Sequence, residues 1–127
     1  MRLKEAAGWN QTEEDWRNVM RLEPEGCFGV DGDGALAATA TAVCYGTSLA
    51  WIGMVLTDPA HRGKGFARQL MRRSIDFIAA RGVGWAKLDA TDMGKPLYCS
   101  LGFEDECVIE RWGRQPAPCE GADLPRL

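Results

Sequence analysis

The residues of this chain best suited to chemistry by type and spacing gather at Arg62-Gly63-Lys64-Gly65-Phe66-Ala67. The stretch lies between a strand-like run and a long amphipathic segment. Two glycines let a backbone turn tightly and approach a ligand with no Cβ in the way. A helix starting there presents unpaired N–H groups and a partial positive charge, which suits an anion, and a diphosphate is the natural guest. Two other phosphate loops are excluded. G-x-x-x-x-G-K-[ST] is absent, and Arg68 breaks the G-x-G-x-x-G spacing begun by Gly63 and Gly65.

The elements that must hold this loop follow from periodicity and turn chemistry. Trp16, Val19, Met20 and Leu22 recur at helical intervals from Glu13 to Leu22, with Thr12 as N-cap and Glu13, Glu14 and Asp15 at the positive end. Cys27 to Val30 is a short strand, Asp31 to Gly34 a turn, and Ala35 to Tyr45 a second strand, together a hairpin. Gly46-Thr47-Ser48 leads to a third strand, Leu49 to Leu56, in which Gly53 suggests a bulge or a close approach. Phe66 to Arg81 is an amphipathic helix with Ala67, Leu70, Met71, Ser74, Ile75 and Ile78 on one face, stopped by Gly82. A strand at Trp85 to Asp89, a helix at Lys95 to Leu101, and strand structure from Phe103 continued by Cys107 to Trp112 complete the order. That order predicts an α/β (α+β) fold, a mixed and mainly antiparallel sheet flanked by helices, with a right-handed crossover through the long helix.

Composition narrows the function classes. The chain has 127 residues, the size of one domain, and a net charge of −3, which argues against nucleic-acid partners. The five cysteines are scattered with no C-x-x-C pair and His61 is the single histidine, so no metal site is expected. The cysteines read as small buried apolar residues in a reducing compartment. No apolar run approaches the ~20 residues of a membrane span, and the N-terminus lacks the apolar core of a signal peptide. A cytoplasmic location and no membrane partner are the expectation.

The stretch Val55 to Ala67 resembles motif A of the GNAT-type N-acetyltransferases, [Q/R]-x-x-G-x-[G/A], with Arg62, Gly65 and Ala67 in the three defined places. Pro96 to Phe103 resembles that family's motif B, Y-x-x-x-G-F, with Tyr98, Gly102 and Phe103. Two blocks in the right order are more specific than either alone, and the likeness of element order runs from about Glu13 to Trp112. The resemblance implies one acetyl-CoA-binding domain over residues 1–114, with 115–127 as a proline-bearing tail. It also implies an enzyme that moves the acetyl group of acetyl-CoA to a primary amine of a small-molecule or peptide acceptor, directly in a ternary complex.

The same resemblance assigns roles. Backbone groups of Met54, Val55 and Leu56 pair with the pantetheine arm as with an added strand. Backbone N–H groups from Gly63 through Gly65 and Phe66 to Ala67 hold the pyrophosphate. Lys64 and Arg68, four residues apart, reach a phosphate, whereas Arg72 belongs to a solvated face. Tyr98 is the proton donor to the departing thiolate, and a backbone N–H near Met54 or Val55, freed where the strand bulges by Gly53, meets the oxyanion. Cys99 is structural. Glu23, Glu25, Asp89 or a water chain stand as general base, with His61 too close to the phosphate loop.

Two departures from the family pattern bear on activity. Thr91 stands where many relatives carry Asn. Only twelve residues precede Glu13, where the family usually has a strand and a longer helix, so either the first strand is missing or the start of the chain is truncated. The edge this exposes invites a homodimer. A non-catalytic acyl-CoA-binding or regulatory domain is therefore the alternative expectation. Tyr98 favours the enzyme, and the short N-terminus favours the binding module.

Overall fold

Thr12 caps the first helix, as the sequence pattern predicts, and Asp15 makes the cap reciprocal. Thr12 Oγ1 accepts from the Asp15 N–H at 3.2 Å, and the Asp15 carboxylate accepts from the Thr12 N–H at 2.7 Å. Those bonds hold the Asp15 carboxyl below its usual range, the backbone bond having the larger effect. In the computed structural model, which describes residues 12–109, this helix is α1 (Glu13–Leu22). It is shallowly seated: Trp16 and Val19 are half-buried, while Met20 and Leu22 remain exposed.

A short 3-10 turn, Pro24–Gly26, leads into β1 (Cys27–Gly32) and β2 (Ala35–Tyr45). The strands run closer together than the sequence suggests, because Asp33 and Gly34, both at positive φ, make a two-residue turn whose twist matches the hairpin. Then β3 (Leu49–Thr57) pairs antiparallel with β2. A 3-10 turn at Pro59–His61 and the glycine loop bring the chain to α2 (Phe66–Ala80). Last come β4 (Ala86–Lys87), parallel to β3, and α3 (Lys95–Ser100). The sheet order is β1-β2-β3-β4.

The core lies between α2 and the sheet. Alanines 38, 40 and 42 of β2 are fully buried and let the helix come close, and Leu70, Met71, Ser74 and Ile78 are the residues α2 buries. Ser74 avoids an unpaired hydroxyl by donating to Leu70 O at 2.9 Å. This is the apolar face predicted from periodicity, with Ile75 at its half-buried margin.

Three expectations need correction. The strand expected at Trp85 to Asp89 is reduced to Ala86–Lys87, because the chain leaves β3 after pairing with Ala50 and Trp51. No strand forms at residues 103–109; there Asp105 and Glu106 pair with Lys95 and Lys87 at 2.8 and 2.6 Å, side-chain contacts that build no ladder. Residues 110–112 of that expectation and the tail lie outside the described residues. Cys99 and Cys107 are exposed rather than buried, since α3 turns Tyr98 and Leu97 inward and leaves Cys99 outside.

Candidate active site

The site begins with an irregularity in β3. Gly53 pairs with Thr41 and Leu56 with Thr39, so Met54 and Val55 together oppose Ala40. Met54 carries the strain of this bulge at φ 51°, a left-handed conformation rare for a side-chain-bearing residue. The bulge is therefore centred on Met54, the neighbour of Gly53. Gly53 itself has room for a Cβ, which would sit 3.6 Å from Thr41 Oγ1.

The bulge reorients two amides. Ala50 N–H donates toward the β4 side, to Trp85 O, and Asp58 N–H donates to Ala37 O of β2. Successive strand residues alternate the neighbour that their N–H and C=O groups face. Counted from Ala50, Ile52 faces away from β2 and Gly53 toward it; counted back from Asp58, Leu56 faces β2 and Val55 faces away. Met54 takes up the mismatch, its carbonyl turned to the β2 side, where it accepts from Thr39 Oγ1 at 2.8 Å. With no cis peptide among the described residues, an N–H points opposite to the C=O of the same unit, so the amides of Met54 and Val55 both face away from β2.

They face open space. β4 pairs with β3 at Ala50 and Trp51 alone, so beyond Ile52 this edge of β3 has no strand neighbour among the described residues. The resulting cleft is lined by Ile52, Gly53, Met54, Val55, Leu88, Asp89, Thr91 and Tyr98. Tyr98 enters from α3 and is only 8% exposed. Its ring meets Phe103 edge-on at 6.4 Å between centroids. It also lies against Gly94, where a Cβ would come within 2.9 Å of the ring. Burial pushes the Tyr98 phenol above its usual pKa.

At the other end of this edge the glycine loop turns into α2. Gly65 caps the helix at φ 80° with no side-chain cap bond, and Gly63 has φ 79°. Nothing lies within 4 Å of a Cβ built on either glycine, so the loop and the helix N-terminus are open to an approaching group. Arg62 and Lys64 are exposed there. Phe66, the first helical residue, is stacked on His61 with centroids 6.2 Å apart.

The Acetyltransferase (GNAT) family model matches residues 3–103. The chain belongs to the GNAT acetyltransferase family. A stretch of 78 residues is 37% identical to streptothricin acetyltransferase of Streptomyces lavendulae, covering 59% of this chain and 41% of that protein. This chain thus spans less than half the length of the Streptomyces enzyme. The fold superposes on glucosamine-6-phosphate N-acetyltransferase of Arabidopsis thaliana with a TM-score of 0.70 at 18% identity, covering 88% of this chain and 90% of that one. It also superposes on a Clostridium acetobutylicum protein solved with acetyl-CoA and described as a predicted acetyltransferase, with a TM-score of 0.65 at 19% identity and coverage of 88% and 82%.

Within this GNAT domain the sequence-derived candidates fall into distinct groups. Met54, Val55 and Tyr98 meet at the cleft, and Leu56 continues the same strand with its side chain buried. Arg62 to Ala67 form the loop and the first turn of α2. Arg68 extends to α3, donating to Ser100 Oγ at 3.1 Å, while Ser100 Oγ donates to Leu97 O at 2.6 Å. Of the candidate bases, Asp89 lines the cleft. Glu23 and Glu25 instead pair with Arg81, each at 3.5 Å, at the C-terminal end of α2.

Other residues serve as supports. Thr91 caps the turn into α3, its hydroxyl accepting from Gly94 N at 3.3 Å and its carbonyl from Lys95 N at 3.0 Å. His61 bonds Asp33 of the β1–β2 turn through Nε2 at 3.2 Å, with Nδ1 3.9 Å from Asp58. It joins that hairpin to the loop, as befits a residue beside the loop rather than in the cleft. Sequence reasoning missed Thr39 and Thr41, whose hydroxyls hold the bulged strand. In the sequence they read as members of an alternating Ala/Thr strand; their partners are Met54 and Gly53, separated from them along the chain by a turn.

Proposed function

We propose that this GNAT domain transfers the acetyl group of acetyl-CoA to a primary amine, directly in a ternary complex. One observation carries the reading: two successive amides on the bulged edge of β3, which has no strand neighbour there among the described residues, face a cleft lined by the largely buried residue Tyr98. An extended pantetheine arm fits that edge as a strand would. A diphosphate fits the open N-terminus of α2, where the N–H groups of Gly63 to Ala67 and the ammonium of Lys64 complement its charge.

Bound there, acetyl-CoA supplies an activated thioester. The amine nitrogen bonds to the carbonyl carbon, and the Met54 and Val55 amides stabilise the negative oxygen that develops. As the C–S bond breaks, Tyr98 gives its proton to the sulfur and the product is an amide plus free CoA thiol. The proton lost by the amine passes to the Asp89 carboxylate, directly or through water, and on from there to the Tyr98 phenolate, so that both side chains end as they began. The stretch shared with streptothricin acetyltransferase supports trying streptothricin first among acceptors.

The test is thiol release from acetyl-CoA in the presence of streptothricin, polyamines, amino acids and peptide N-termini. Release that depends on one of these amines is the expected result. Tight acetyl-CoA binding with no release for any amine would mean a binding module instead.

A further inference from the structure

The amides at the bulge can stabilise an oxyanion only while the peptide unit between Met54 and Val55 keeps its orientation, and a bulge is the least constrained part of a ladder. In this chain the orientation is held from behind. Thr39 is 6% exposed and donates to Met54 O at 2.8 Å; Thr41 is 4% exposed and donates to Gly53 O at 3.0 Å. The two bonds differ in consequence. Gly53 faces β2 in any regular ladder, so its carbonyl has a place there without Thr41. The Met54 carbonyl is the one that the bulge displaces from the regular alternation, and the Thr39 hydroxyl bonds it there. Because the peptide is planar and trans, fixing that carbonyl fixes the Val55 N–H on the opposite side, facing the cleft. A part-buried hydroxyl–carbonyl pair of this kind is also costly to break, since both groups lose their partner where water reaches them poorly.

We infer that Thr39 is a positioning residue for acetyl transfer, aiming the Val55 amide at the thioester oxygen through its hydrogen bond to the Met54 carbonyl. Thr41 reinforces the preceding peptide. The inference rests on the function proposed above and deepens it, since it says what makes this bulged edge a rigid donor rather than a flexible one.

Thr39→Val keeps the shape of the side chain and removes the donor, whereas Thr39→Ser keeps the donor and removes a methyl. Loss of a well-aimed oxyanion donor lowers turnover by about 100-fold or more, and a donor that is loosened but still present loses on the order of tenfold. The expected result is therefore a roughly tenfold lower kcat for Thr39→Val, with the acetyl-CoA dissociation constant changed by less than about threefold and with Thr39→Ser near the parent rate. A readout separate from turnover is the infrared carbonyl stretch of bound acetyl-CoA labelled with ¹³C at the acetyl carbon. It should shift to lower frequency on the parent protein and on Thr39→Ser, and return toward the free value on Thr39→Val.

An unshifted difference between Thr39→Val and parent, in both rate and frequency, overturns the inference. So does equal impairment of Val and Ser variants, which would mark a packing role. If the parent protein fails to bind acetyl-CoA at all, the proposed function falls and the inference with it, an outcome plainly different from a parent that polarises the carbonyl without help from Thr39.

Discussion

At the scale of single residues, Tyr98 bears the sharpest expectation. Tyr98 belongs to the buried core cluster that contains Ile52 and Met71, against which Leu97, Leu101 and Phe103 are packed. Desolvation of the phenolate raises its pKa above the ordinary value of about 10. The sign for catalysis follows: the protonated, donating form persists through neutral and mildly alkaline pH, so Tyr98 causes no loss of rate below about pH 10. Stability carries the same sign. The contribution from the neutral phenol is intact below the unfolded pKa and is lost as pH rises through the higher folded value. Tyr98→Phe should lower kcat about 100-fold, within the usual span for a general acid, with acetyl-CoA affinity nearly unchanged. Kinetics of both proteins from pH 6 to 10 decide this; an unchanged kcat would remove Tyr98 from the mechanism, and an alkaline limb well below pH 10 that disappears in Tyr98→Phe would contradict the upward shift of its pKa.

At the scale of elements, the loop entering α2 and the bulge in β3 differ in how they arise. The loop is a local device. Gly63 and Gly65 adopt positive φ, and the helix starts at Phe66 where the apolar periodicity predicts it. Gly65→Val places a β-branched residue at φ 80°, where strain of about 1–2 kcal/mol is expected from local sterics, and puts a side chain into the space open to a ligand. Acetyl-CoA binding measured by calorimetry should weaken by about tenfold or more, a loss of at least ~1.4 kcal/mol, while most of the fold survives. Unaltered affinity would remove the loop from the cofactor site. The bulge is a paired device instead. Its sequence, Gly53-Met54-Val55, suggests an irregularity near Gly53, yet it is β2 that places the residue at positive φ, through the register of Thr39 and Thr41.

At the scale of the molecule, the cleft rests on a core that joins β3, α2 and α3. Met71 is fully buried and belongs to the cluster that contains Ile52, Ile78 and Tyr98. Met71→Ala leaves a cavity there and should destabilise the protein by about 2–5 kcal/mol, read as a lower urea midpoint. A midpoint unchanged from the parent would mean that this cluster is not what secures α2. No helix among the described residues is long and apolar enough to cross a membrane.

Much of this protein is legible in its sequence because the rules involved are local. The α1 cap depends on residues three apart, the face of α2 on a repeat of 3.6, the hairpin turn on Asp33-Gly34, and the two family blocks on short spacings. What the sequence alone left open is decided by contacts between distant segments. Whether Trp85 to Asp89 would pair along its length depended on where β3 diverges, and pairing ends at Lys87. Whether Glu23, Glu25 or Asp89 borders the cleft depended on Arg81, which draws both glutamates to the far end of α2. The direction of the Val55 amide depended on a hydroxyl in the neighbouring strand. Local sterics and periodicity set the elements; the aim of a peptide group and the partner of a carboxylate are set by whichever residue packing brings within hydrogen-bond reach.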